Sequence, residues 1–444
     1  MPDIHWEKLR QEVIDAGLCT QCGSCVGLSK GILGFQETKG IPLPIKIRGD
    51  RDIPEAAYSG CPARRCHYPS LNEFVFGKQP ASWLSGVVEQ SFVGHATDES
   101  VRRRGASGGA ISAILIHLLE TGRIQGAVCL QMGKTVPYKA EPVIARTKEE
   151  VLQCAQSIYS LTPVNTILGE LEKEGGPLAY VGLPDQVASI RKLQKIGHPS
   201  VANIKYVLGP YMGTQMYFEA IRSFLRSHGI RSEEEIANLQ YRAGEWPGNL
   251  QITLKNGRVL RAEKFYYNYL IPFFITKSSL QLVDFTNELT DISVGDAWSP
   301  KYEEQGGGHS VILARSKAAR TLLSEMEEKN LLTLQEIELD EALSMHGHML
   351  DFKKRGTFIR MRWMKQAPEY GYEPAHIPAP RIVVEWCLRC FFGIGRWQMA
   401  HWVVERLPLR IVGPCFNVLR KGWKSLSKTT KRKGLNLMEF KINN

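Results

Sequence analysis

The chain has 444 residues, 43% of them hydrophobic, which is enough to bury the cores of roughly two or three domains and excludes a disordered or fibrous class. A formal charge of +11 suits a nucleic-acid binder, yet much of the excess sits after residue 350 and ends in the run Lys421 to Lys433, so no nucleic-acid partner is expected. The opening MPDIHWEKLR has no apolar signal core, and no stretch of about 18 uncharged apolar residues occurs, which predicts a cytoplasmic protein, at most peripheral to a membrane.

Residues 1 to about 80 are rich in Gly, Pro and Cys and show little periodicity, as expected of a region that folds around something other than a large apolar core. From about residue 85 short apolar runs alternate with amphipathic helices. The pattern predicts a helix over 107–120, with Ile111, Ile114, Leu115 and Leu118 on one face, and a buried strand over 127–130 after the stop at Gly122. A helix over 164–171, a strand over 178–181, a helix over 186–195 and a strand over 204–208 follow. This alternation predicts an α/β core with a mostly parallel sheet. Asn256-Gly257 between two apolar runs is a type I′ turn signal, so 250–261 reads as a hairpin adding antiparallel strands to that sheet. A strand over 310–314 and a helix over 317–329 come next, and the globular pattern fades near residue 350.

The ten cysteines are unevenly spread, and clustering favours metal ligation over a disulfide framework. Cys19-Thr-Gln-Cys22-Gly-Ser-Cys25 spaces three thiols at two-residue gaps, as a tight loop does when it wraps three corners of an iron–sulfur cubane. In bacterial ferredoxins a cysteine followed by proline comes three residues later. Ser29 stands there in this chain, and Cys61-Pro62 supplies a Cys-Pro pair, so Cys61 is the expected fourth ligand with Cys66 as its competitor. The alternative for the same thiols is zinc. Cys129, Cys154 and Cys415 stand singly among apolar residues, as buried small hydrophobes do, whereas Cys387-Leu-Arg-Cys390 has redox-like spacing in a helical aromatic segment.

Two loops have the chemistry of anion sites. Val101-Arg-Arg-Arg-Gly-Ala-Ser-Gly-Gly sets three guanidiniums and flexible backbone before a helix, which suits a phosphate or, equally, a charged surface turn. Tyr180-Val-Gly-Leu-Pro-Asp-Gln runs from strand to helix, where Pro184 and Asp185 also serve as a helix opening. Both would face one crevice at the carboxyl ends of parallel strands. Asp291-Ile-Ser-Val-Gly-Asp296-Ala-Trp298 is either a structural corner or a place where Asp296 meets a ribose or flavin.

Taken in order, these motifs together with Ser157-x-Tyr159 resemble the coenzyme F420 hydrogenase/dehydrogenase beta-subunit family over roughly residues 10 to 350. The family also includes ferredoxin-dependent reductases of chlorophyll pigments. The resemblance implies a ferredoxin-like iron–sulfur region (1–80) and a mixed-sheet α/β flavin-binding domain (85–350), after which composition and spacing predict an amphipathic helical, basic tail (351–444). It implies one 4Fe–4S cluster on Cys19, Cys22, Cys25 and Cys61. FAD phosphates would lie on Arg103, Arg104, Gly105, Ser107, Gly108 and Gly109, with Ser157, Tyr159 and Asp296 lining the same crevice. Electrons would pass between a ferredoxin-like or reduced deazaflavin donor and a two-electron acceptor; a non-catalytic electron-transfer or scaffold subunit is the rival function. Members commonly carry cysteines where this chain has Asp185, Met212, Ser279 and Leu282, which implies the loss of a second cluster. Gln156-Ser157-Ile158-Tyr159 also departs from the family's Gly-Ser-Lys-Tyr and lacks its lysine.

The last stretch carries Trp386, Phe391, Phe392, Trp397, Trp402 and Phe416 among arginines. At helical spacing this is amphipathic, suiting either a helical pair packed on its own domain or a surface for a membrane or partner subunit, while Glu385, Arg389 and Arg396 exclude a simple span.

Overall fold

β-branched runs alternating with amphipathic helices build a mixed α/β architecture in the computed structural model, which describes residues 4–49, 51–263 and 267–443. An N-terminal hairpin pairs β1 (Leu33–Thr38) with β2 (Ile41–Lys46). The main sheet then takes β3 (Gln90–Ala96), β4 (Gly126–Met132), β5 (Ala140–Ala145), β6 (Leu178–Val181) and β7 (Ile204–Pro210). β8 (Ile236–Ala243), β9 (Asn249–Leu254) and β10 (Val259–Glu263) make a separate three-stranded sheet. β11 (Ile292–Asp296), β12 (Ser310–Ala314) and β13 (Leu332–Ile337) complete the main sheet, whose order is β13-β3-β12-β11-β7-β6-β4-β5.

Only the middle of that sheet is parallel, with β11, β7, β6 and β4 running together and antiparallel neighbours on both flanks. The hairpin lies where Asn256-Gly257 put it but not in the expected sheet. Its strands bury every second residue, and Leu250, Ile252 and Leu254 pack with Phe224 and Leu225 of the helix Glu219–Arg226 into a core of their own. The first long helix begins at Ala110 instead of 107. Gly109 takes a left-handed φ of 73°, and a Cβ on Gly105 would lie 2.5 Å from the Gly109 Cα, so residues 105–109 are a folded turn that only glycines can close.

Residues 1–80 do have an apolar core. Trp6, Leu9, Leu28 and Leu33 share one buried cluster with Tyr180, Val187 and Leu193 of the α/β body. Nor does the globular pattern end near residue 350. The helix Gly347–Asp351 leads directly into a segment that buries Lys353, Lys354 and Arg355, and β14 (Tyr372–Pro374) pairs with β15 (Phe440–Ile442). The cations hid this core because each is matched by an internal acceptor: Lys354 by Glu288, Arg355 and Arg381 by Asp351, and Arg360 by Glu385. The helices Ala379–Gly395, Gln398–Arg406 and Leu409–Arg432 follow. None among the described residues is long and apolar enough to cross a membrane.

β3 runs in the same direction as the four parallel strands. The turns after β3, β4, β6, β7 and β11 therefore open on one edge of the sheet, where an open α/β sheet gathers its functional groups.

Candidate functional site

The cysteine loop is clamped by close backbone contacts with the body. Gly23 has φ 97° and starts the helix Ser24–Leu28, and a Cβ there would sit 2.8 Å from the Thr166 nitrogen. A Cβ on Gly27 would lie 2.3 Å from the Asn165 carbonyl oxygen, so the loop presses backbone to backbone on the 163–166 turn. Asn165 N–H donates to the Cys22 carbonyl at 3.0 Å, and the Ser24 hydroxyl lies 3.3 Å from the Cys22 sulfur and shares a 2.6 Å hydrogen bond with Ser189.

Cys19, Cys22, Cys25 and Cys61 line one cleft, walled by Leu9, Val13, Ile14 and Phe35. Lys192 donates to the carbonyls of Cys61 and Arg65 and fixes the incoming loop. Cys66 is not part of the cleft: its N–H donates to the Glu369 carbonyl at 2.9 Å, and its thiol is buried in the core near Tyr68 and Tyr370. Among the described residues no three His, Cys, Asp or Glu side chains converge as a single ion requires. The cleft brings residues of the N-terminal segment and Cys61 to one place, closed on its far side by the apolar wall. Burial, with repulsion from neighbouring thiols, pushes Cys22 up to about 12 and raises Cys19 and Cys25 too; burial also raises Cys61. Three buried thiols and the half-buried Cys61 beside an apolar wall are a donor set that fits iron, and a bound cation favours their thiolate form.

Behind the cleft lie the positions expected to have lost a second ligand set. Asp185, Met212, Ser279 and Leu282 are all buried. Here the ammonium of Lys353 donates to the Ser279 carbonyl at 2.7 Å and lies 3.9 Å from the Met212 sulfur. Burial brings Lys353 down to about 7 and Asp185 up to about 6. Pro184 and Asp185 open the helix Pro184–Lys195, with Gln186 capping the Leu183 N–H at 2.8 Å; the Asp185 charge acts on Cys19 and Cys22, and the loop does not line the cavity beside the arginines.

A second cavity, of about 470 Å³, lies beside the arginine loop and is lined by four separate stretches: Arg103 and Arg104, Leu130 and Met132 at the end of β4, residues 152–158, and β8 with Gly244 and Glu245. Its volume is that of a small-molecule site. Arg104 has no ion-pair partner among the described residues, whereas Arg103 pairs with Glu99 at 2.7 Å. Ser157 lies in the lining, and Gln156 beside it holds a φ of 93°, a conformation that suits glycine.

The other expected flavin residues lie elsewhere. Gly105, Ser107, Gly108 and Gly109 shape the turn: the Ser107 hydroxyl bonds to that of Ser310 at 3.0 Å, and Gly108 N–H donates to the same hydroxyl at 3.1 Å. Tyr159 and Asp296 meet through Arg242, a residue not anticipated from the sequence. Arg242 donates to Asp296 at 3.2 and 3.4 Å and to the Tyr159 hydroxyl at 3.3 Å, while the Trp246 indole N–H donates to Asp296 at 3.1 Å. β8 does not bury alternate residues, so no local pattern in the sequence marked Arg242 as buried.

Residues 91–169 match the family model described as coenzyme F420 hydrogenase/dehydrogenase, beta subunit N-term, and residues 176–340 match that of its C terminus, together more than half of the chain. A coenzyme F420-dependent sulfite reductase of Methanocaldococcus jannaschii is 24% identical over 81% of this chain, a match that spans only 54% of the relative. The coenzyme F420 hydrogenase subunit beta of Methanococcus voltae is 27% identical over 55% of this chain and 82% of its own length. A chloroplastic 7-hydroxymethyl chlorophyll a reductase of Oryza sativa is 26% identical over 49% of this chain and 46% of its own. Among solved structures, a chain of the F420-reducing NiFe hydrogenase complex from Methanosarcina barkeri aligns with a TM-score of 0.51 at 18% identity, covering 65% of this chain and 98% of that one, a likeness of fold. On the two consecutive family matches, the chain belongs to the coenzyme F420 hydrogenase/dehydrogenase beta-subunit family.

Proposed function

We propose that this chain is an iron–sulfur flavoprotein oxidoreductase that passes electrons between a one-electron carrier of ferredoxin type, or reduced deazaflavin, and a two-electron acceptor. The observation that carries the reading is the gathering of four cysteines, from residues 42 apart in sequence at the extremes, around one cleft. A cysteine-ligated cluster supplies one-electron exchange and FAD supplies two-electron exchange.

Cys19, Cys22, Cys25 and Cys61 hold the one 4Fe–4S cluster, and the Ser24 hydroxyl beside Cys22 orients that sulfur. Arg104 and Arg103 supply positive charge for the FAD phosphates at the cavity mouth, and Ser157 a hydroxyl within it. The turn 105–109 holds the arginines at the sheet edge, while Arg242 keeps Tyr159 and Asp296 in place behind the cavity. Only the segment 158–165 joins a residue of the cavity wall to the one that bonds the Cys22 carbonyl, so at roughly 3.5 Å per residue the two ends lie within about 25 Å. The buried Lys353 among positions 185, 212 and 279 favours a chain with a single cluster.

The relatives named as hydrogenase beta subunits favour a second reading, a subunit that works only within a larger complex. The two separate in one experiment: reduced ferredoxin or reduced deazaflavin is added anaerobically to the purified chain alone, and flavin absorbance is followed. Bleaching without a partner supports the complete enzyme. No bleaching of a flavin-loaded chain assigns it the subunit role.

A further inference from the structure

The three C-terminal helices keep apolar surface that the rest of the molecule buries. Among the described residues, 12 of the 19 exposed large apolar side chains fall between residues 383 and 419, a stretch of less than a tenth of the chain. Trp386, Trp397 and Trp402 are 59%, 64% and 57% exposed, and Met399 77%. Such a concentration marks an interaction surface.

Charge says what kind. Residues 380–433 contain two carboxylates, Glu385 and Glu405. Glu385 is turned inward onto Arg360 and Arg381, and Glu405 onto Arg226 at 2.6 Å. The outer surface therefore presents cations alone, among them Arg389, Arg396, Arg406, Arg410, Lys421 and Lys428, all exposed. The Arg406 guanidinium lies 4.0 Å from the Trp402 ring centroid, so cation and aromatic surface are interleaved and not segregated. Tryptophan with arginine at the polar boundary is the chemistry of the headgroup layer, where an indole meets both apolar and hydrated surroundings. The apolar side chains lie on or between three successive helices of 17, 9 and 24 residues, with Pro408 separating the last two.

We propose that this face seats the protein on an anionic lipid bilayer, with the helices in the headgroup plane and the tryptophans below it. The test is flotation of the full chain with vesicles of phosphatidylcholine alone and of phosphatidylcholine mixed with phosphatidylglycerol. Partition onto the anionic vesicles is expected to be at least about tenfold stronger and to fall as salt screens the cations. The triple variant Trp386→Ser, Trp397→Ser, Trp402→Ser loses about tenfold in binding to the same vesicles while keeping the iron content of the parent chain. Equal partition onto both vesicle types, or a chain left in the aqueous fraction with both, overturns the proposal. A concentration-dependent oligomer that shields the tryptophans from a soluble quencher without vesicle binding overturns it too, and gives the face to a second copy.

Discussion

The cysteine cleft and the arginine cavity stand on the same body but are built in opposite ways. Three of the cleft's four thiols come from one seven-residue stretch, and glycines at 23 and 27 press it against backbone. The cavity takes its walls from four stretches between residues 103 and 245, and none of them is a ligand set by itself. A site written in one short motif brings its own geometry. A site distributed over a sheet edge exists only after the sheet has formed, and its parts also hold one another, as Ser107 does with Ser310 and Asp296 with Trp246.

The sharpest break in this comparison is at the cleft. Cys22→Ser is expected to lower bound iron from about four per chain to below about one, while Cys66→Ser keeps it, by iron and acid-labile sulfide assay. Equal losses would return the fourth-ligand role to the competitor. Next comes the buried wall behind the cleft, where Lys354 bonds Glu288 and donates to the Tyr372 hydroxyl at 2.6 Å. Lys354→Met leaves Glu288 unpaired and costs about 3–5 kcal/mol in urea unfolding, the value for a broken buried pair. A loss near zero would put residues 351–377 back on the surface.

At the cavity the effects are smaller. Arg104→Ala is expected to weaken FAD binding by about 1.5–3 kcal/mol, or roughly ten- to a hundredfold, by titration of the apoprotein. Arg103→Ala costs less, because that guanidinium already spends its charge on exposed Glu99. The cavity side also has a pH signature. Burial, aided by Arg102 and His95, holds His309 down to about 4 from 6.5. The unfolded chain therefore binds more protons than the folded one between about pH 6.5 and 4, so stability is intact above that window and falls as pH drops through it. His309→Gln should flatten that fall by on the order of 1–2 kcal/mol, seen in unfolding curves at pH 7 and 4.5. Smallest is Gln156→Gly, which relieves a left-handed φ and changes stability by no more than about 1 kcal/mol, measured the same way.

Legibility followed the same division. The thiol spacing and Cys61-Pro62 pointed to one cleft, and Asn256-Gly257 marked its hairpin, because both signals are local. The sheet to which that hairpin belongs was not local information, since it depends on which core the alternate residues of 249–254 find. Lys353, Lys354 and Arg355 fall in the basic stretch where the globular pattern was expected to fade, for nothing in a Lys-Lys-Arg string announces that Ser279, Glu288 and Asp351 will meet it inside. Arg242 stayed hidden for the same reason: its partners Tyr159 and Asp296 lie 83 and 54 residues away.

The most direct measurement is the iron, sulfide, zinc and flavin content of anaerobically purified protein with its visible spectrum. About four iron and four sulfide per chain with one FAD is the predicted result. Zinc without sulfide, or iron without flavin, would contradict the account of a single-cluster flavoprotein.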